Sequence, residues 1–97
     1  MSHDIRHNAG ASRFETEVDG HQCVLDYTLA DDVISMNRVY VPPPVEGRGI
    51  AGAITRHALD YSRENGWKVV PRCPYVKAWI ERHPDYQDLL AGDLPAG

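Results

Sequence analysis

The sequence predicts an α/β (α+β) fold: a three-stranded antiparallel meander, a helix, a fourth strand parallel to the third, and a C-terminal helix. Three observations carry this. Three runs of alternating or β-branched residues follow one another across two-residue turns between Ser12 and Val41. The apolar period then switches from two residues to helical spacing near Gly49. A short apolar run, KVVP, follows that helix. A strand reached through a helix pairs parallel to the strand before it, by a right-handed crossover, which makes the four-stranded sheet mixed.

The first strand is SRFETEV, with Phe14, Thr16 and Val18 on one face. Asp19–Gly20 is a hairpin signal, because glycine adopts the positive φ that tight turns require. In HQCVLDYTLA, Cys23, Leu25, Tyr27 and Leu29 share a face and Gln22, Asp26 and Thr28 take the other. Asp31–Asp32 turns the chain into VISMNRVYV, Val33 to Val41, rich enough in β-branched residues for both faces to be partly covered. Pro42–Pro44 make a rigid bend. Between Gly49 and Asn65, Ile50, Ile54, Ala58 and Tyr61 form a helical stripe, and Gly66 is suited to the left-handed position after the helix end. YVKAWIERH reads as a second helix with Val76, Trp79 and Ile80 on one face, stopped by Pro84. The expected organisation is a flexible segment over 1–11, one domain over 12–91 and a tail over 92–97.

The 97 residues suit a single domain. A net charge of −4, with basic residues scattered, argues against a nucleic-acid partner, since nothing is gathered to neutralise a phosphate backbone. No stretch approaches the ~18 apolar residues of a membrane span, and the N-terminus has no apolar signal core. A cytoplasmic location with reduced thiols is expected. Cys23 and Cys73 form no zinc framework, and no histidine pair has metal spacing. Cys23 alternates with Leu25 and Tyr27 and reads as core.

The stretch EGRGIAG, Glu46 to Gly52, holds a literal G-x-G-x-x-G at Gly47, Gly49 and Gly52. A dinucleotide site would need this loop in the first βαβ unit of a parallel sheet, with a carboxylate about 20 residues on. The loop instead follows three antiparallel strands, and Arg72 stands at that distance. A P-loop is excluded because G-K-[ST] is missing. The loop's physics survives both exclusions. Glycines let backbone N–H groups approach an anion without Cβ interference, the helix N-terminus adds partial positive charge, and Arg48 offers a full one. The alternative is that the glycines only shape a turn and let the helix pack close to the sheet.

With its preceding strand, this segment resembles the acyl-CoA-binding region of the GCN5-related N-acetyltransferases. Their signature is [QR]-x-x-G-x-[GA] between a strand and a helix; Gly49 and Ala51 fit it, while Glu46 stands where Gln or Arg is usual. VVPRCPYVKAWIERHPDY is similar to the C-terminal segment of the very short, single-domain branch of that superfamily, through Val69, Pro71, Cys73 and Tyr75, then His83, Pro84, Asp85 and Tyr86. The resemblance implies that acetyl-CoA (or CoA) is the co-substrate and that no metal is used. It places the pyrophosphate on Glu46, Gly47, Arg48, Gly49, Ile50, Ala51 and Gly52, and the pantetheine chain along the strand at Val39 and Val41. It implies Cys73 near the thioester as a first acceptor of the acetyl group, and Tyr75 as proton donor to the departing thiolate. Read from the residues alone, Cys73 is equally a small half-buried hydrophobe and Tyr75 a packing residue at a helix start. His83, in the last turn of its helix, reads first as a dipole-compensating residue and second as a general base. His57 reads as solvated and Trp67 and Trp79 as core.

Three functions follow as expectations. The first is a minimal acetyl-CoA-dependent N-acetyltransferase acting on an amine of unknown identity, as a monomer or weak dimer. The second is a non-catalytic acyl-CoA-binding or sensing module. The third is a protein-interaction domain that has lost CoA. Larger members of the resembled superfamily build the acceptor wall from further helices and a hairpin. A shallow acceptor site, one shared with another subunit, or none is therefore expected.

Overall fold

A computed structural model describes residues 4–91. Five strands form one sheet in sequence order: β1 (Arg6–Asn8), β2 (Arg13–Val18), β3 (His21–Ala30), β4 (Val33–Tyr40) and β5 (Lys68–Pro71). β1 to β4 are antiparallel, and β5 joins β4 in parallel after helix α1 (Ile50–Glu64). Helix α2 (Pro74–Glu81) follows directly, and a 3-10 turn over Pro84–Leu89 brings the chain back to the β5 edge, where Ala91 N–H donates to the Val69 carbonyl at 3.1 Å. The mixed sheet and the α/β order are those expected. The expected tail over 92–97 lies outside the described residues.

One layer of side chains between the sheet and the helices makes the core. Phe14, Leu25, Ile34, Met36 and Val69 rise from the sheet to meet Ile50, Ile54, Ala58 and Leu59 of α1 and Val76 and Ile80 of α2, all essentially inaccessible to water. Burial of this kind contributes about 25 cal/mol per Å² and dominates the stability of so small a domain. Cys23 belongs to the same layer. Leu29, the last of its alternating row, is 42% exposed beside the second turn.

Two expectations are corrected. The sheet has five strands, not four, because Arg6–Asn8 within the segment expected to be loose pairs with β2. Three polar residues carry no periodicity; what holds them is His7, whose ring stacks on Phe14 at 4.5 Å, meets Tyr61 edge-on at 4.5 Å and hydrogen-bonds the Tyr27 hydroxyl at 2.6 Å. His57 is half-buried rather than solvated, its ring 5.8 Å from that of Phe14. Both turns use residues at positive φ, Asp19–Gly20 and Asp31–Asp32, as the hairpin signals required. Gly66, at φ +73°, follows the C-cap Asn65 and ends α1.

Candidate functional site

The site begins with a strand that leaves its neighbour. β4 pairs with β5 from Val33↔Lys68 to Met36↔Pro71 and no further. On its other side, Tyr27 pairs with Met36 but Asp26 pairs with Arg38, so Asn37 is an extra residue and β4 bulges there. A bulge bends the strand that carries it and increases its twist. Beyond Asn37, β4 runs on to Tyr40 alongside β3 alone. The chain leaving β5 is tied back at the divergence, where Cys73 N–H donates to the Met36 carbonyl at 2.9 Å. The result is a stretch of strand edge with unpaired backbone groups facing a gap.

That gap opens onto a cavity of about 490 Å³, walled by Val39, Tyr40 and Val41 on one side and by Glu46, Gly47 and the start of α1 on the other, with Tyr75 closing it. The glycines divide into two kinds. Gly47 (φ +80°) and Gly49 (φ +77°) are left-handed, and a β-carbon built on either would meet nothing within 4 Å. Backbone conformation demands glycine there and leaves the space above it open. Gly52 has an ordinary helical backbone, but a β-carbon there would stand 3.4 Å from the Tyr75 hydroxyl and 3.5 Å from Trp79 Nε1. It is the close-approach glycine between α1 and α2.

Helix α1 starts on Gly49 without any side-chain cap and with no acidic residue in its first turn. Its first hydrogen bond runs from Ala53 N–H to the Gly49 carbonyl at 3.1 Å. The amides of Ile50, Ala51 and Gly52 therefore have no acceptor within the helix, and these three residues line the cavity. Free N–H groups, the positive end of the helix dipole and glycine-bared space together fit a diphosphate. The unpaired β4 edge beside them fits an extended chain bearing amides, such as pantetheine.

Arg48 departs from expectation. Its Nη1 pairs with Asp19 on the β2–β3 turn at 2.6 Å, and it is absent from the cavity lining. An acid 29 residues away in sequence draws its charge off the cradle, and among the described residues the one acidic or basic residue in the cavity lining is Glu46.

Cys73 is buried, at 6% exposure, and occupies the N-cap of α2 without capping it through its thiol. It does not line the cavity. Tyr75, two residues on, does line it and is 37% exposed. Burial pushes the Tyr75 hydroxyl above the ordinary phenol range; Arg82 opposes this and the nearby Cys73 adds to it. The phenol thus keeps its proton at neutral pH. His83 follows α2 rather than sitting in its last turn. Its Nδ1 donates to the Trp79 carbonyl at 2.6 Å, and its ring stacks on Trp79 at 3.7 Å. That bond, to a helix-end carbonyl, matches the first of the two readings of this residue.

The cavity therefore brings together Val39, Val41, Glu46, Gly47, Gly49, Ile50, Ala51, Gly52 and Tyr75 and leaves out Arg48 and Cys73. Tyr40 and Pro43 also line it. Pro43, within the expected rigid bend, opens the 3-10 turn Pro43–Val45 that carries the loop to the rim. Among the described residues, no helix is long and apolar enough to cross a membrane.

Comparison with known proteins bears on the fold and the family. The family model described as GCN5-related N-acetyl-transferase matches residues 13–89. Protein NATD1 of Mus musculus is 25% identical over 83 residues, which cover 82% of this chain and 76% of that protein. The solution structure of a GCN5-like protein of Staphylococcus aureus, assigned there as an N-acetyltransferase candidate, superposes with a TM-score of 0.72 at 22% identity, covering all of this chain and 94% of that one. At that identity the superposition speaks for the fold.

Proposed function

The chain belongs to the GCN5-related N-acetyltransferase family, whose members carry out acyl-CoA-dependent N-acetylation, and we propose that it moves an acetyl group from acetyl-CoA to an amine through the cavity between β4 and α1. The observation that carries this is the continuity of two surfaces: the unpaired edge of β4 past Asn37 runs directly to the capless N-terminus of α1. The first suits pantetheine, the second the diphosphate. Bound acetyl-CoA supplies the activated thioester.

The chain's own groups do the rest. Main-chain donors at the end of β4 polarise the thioester carbonyl. Tyr75, protonated at neutral pH and facing the cavity, gives its proton to the departing CoA sulfur. The amine attacks the acetyl carbon as it loses its own proton to solvent or to a base on the acceptor side. Transfer through Cys73 is the variant in which the thiol takes the acetyl group first. Its place at the N-cap of α2, two residues from the cavity-lining Tyr75, supports a position near the thioester.

One observation favours a second reading, an acyl-CoA-binding module without turnover. The rim carries the carboxylate of Glu46, and the cation beside it is engaged by Asp19. Like charge beside a diphosphate weakens binding without altering the backbone donors.

Calorimetric titration with CoA and acetyl-CoA tests the site. Binding by the wild type, abolished in Gly49→Glu, is expected; no heat with either compound would sink both readings. Intact mass after incubation with acetyl-CoA then tests the route. One added acetyl group, absent in Cys73→Ala, supports the cysteine route, whereas CoA release with amines and no adduct supports direct transfer. A thioester that survives hours with a broad set of amines leaves the binding module.

A further inference from the structure

Arg56 is a cation fixed in place without a carboxylate partner. Arg6, Arg13, Arg38, Arg48 and Arg63 all form ion pairs. Among the described residues Arg56, Arg72 and Arg82 form none, and of these only Arg56 makes a side-chain hydrogen bond. Its Nη1 donates to the Tyr86 hydroxyl at 3.0 Å, and that hydroxyl donates onward to Asp60 at 2.8 Å. Its guanidinium carbon lies 5.1 Å from the centre of the Trp79 ring and 5.5 Å from that of Tyr86. One of five N–H donors is used on a neutral oxygen; the remaining fork is held by aromatic faces and reaches solvent.

Its position matters more than its lack of a partner. Arg56 follows Gly52 by four residues on α1, and such residues share a helix face about 5–6 Å apart. Gly52 lines the cavity, and Trp79, on which Arg56 rests, brings its Nε1 to 3.5 Å from the point where a Gly52 β-carbon would stand. A preorganised guanidinium therefore stands one helical turn beyond the diphosphate cradle, on the same face. An arginine fork matches phosphate oxygens in geometry as well as charge. In CoA the third phosphate, on the 3′ oxygen, is one ribose ring from the diphosphate.

We propose that Arg56 binds the 3′-phosphate of CoA and makes this site select 3′-phosphorylated CoA thioesters over their dephospho forms. The proposal rests on the cavity being a CoA site.

Calorimetric titration of the whole chain with CoA and with dephospho-CoA tests it, in the wild type, Arg56→Gln and Arg56→Lys. The wild type is expected to prefer CoA by about tenfold, the size of one charge-assisted contact at a partly exposed site. Arg56→Gln should bring CoA down to the affinity of dephospho-CoA while leaving dephospho-CoA itself unchanged, which also verifies that the variant is folded. Arg56→Lys should keep part of the preference, since charge remains and the fork is lost. A wild type that binds both compounds equally, or a preference that survives Arg56→Gln, overturns the role of Arg56 and leaves the CoA site standing. A wild type that binds neither compound overturns both.

Discussion

A β-carbon placed on Gly52 would stand 3.4 Å from the Tyr75 hydroxyl, so the first turn of α1 and the start of α2 meet at the thickness of a glycine. At that distance a methyl group is in ordinary contact. Alanine is favoured over glycine within a helix by up to about 1 kcal/mol, less near an end. Gly52→Ala is expected to raise stability by about 0.5 kcal/mol and leave CoA affinity unchanged, because the amide stays where it was. Gly52→Leu has no such room. It should cost about 1–3 kcal/mol by overpacking and displace Tyr75 from the cavity wall. Urea unfolding of the two variants checks both signs.

Gly47 and Gly49 should behave in the opposite way. Nothing stands where their β-carbons would go, so no clash arises, but both hold φ near +80°. Alanine in that region costs about 1–2 kcal/mol through backbone strain alone. Gly49→Ala should therefore lower the unfolding midpoint. If the strain is relieved by moving the loop, CoA affinity falls with it; a variant as stable as the wild type would contradict the left-handed backbone.

Tyr75 is expected to act in the chemical step. Burial holds its hydroxyl protonated beyond the ordinary phenol range. Tyr75→Phe removes one proton and one oxygen and keeps the ring. A fall in kcat of about a hundredfold with little change in the KM for acetyl-CoA is expected, in keeping with general-acid contributions. Unchanged kcat at neutral pH would reduce Tyr75 to packing.

His7 makes the edge strand sensitive to acid. Burial lowers its pKa below the ordinary value of 6.5, and the charge of His57 lowers it further. The folded state thus prefers the neutral ring, which stacks on Phe14 and hydrogen-bonds Tyr27. The unfolded chain takes up the proton first as pH falls, so this contribution is present above 6.5 and is lost progressively below it. Urea midpoints measured from about pH 8 down to about pH 5.5 should decline in the wild type and decline less in His7→Gln.

Much of this was legible before any coordinates. The alternation of Phe14 and Thr16, then of Cys23, Leu25 and Tyr27, located the core face of two strands, because a pleated backbone sends successive side chains to opposite faces. Glycines at 47 and 49 marked a loop in front of a helix, and the loop is there, with both residues at positive φ. Local backbone chemistry is readable because it involves neighbours in sequence. The pairings that were missed are long-range: Arg48 with Asp19, and His7 with Phe14, Tyr27 and Tyr61. So was the helix–helix contact that gives Gly52 a packing role beside its place in the cavity lining.

The sequence by itself determined the order of elements from β2 to α2, much of the core and a glycine-rich loop in front of α1, since period, turn residues and glycine spacing act over a few bonds. Only the tertiary structure decided where β4 parts from β5, that Glu46 rather than Arg48 lines the cavity, that Tyr75 lines it and Cys73 does not, and that Arg56 has no direct ion pair among the described residues. Those outcomes depend on which distant groups compete for the same contact, and that competition is settled only when the sheet and both helices close on one core.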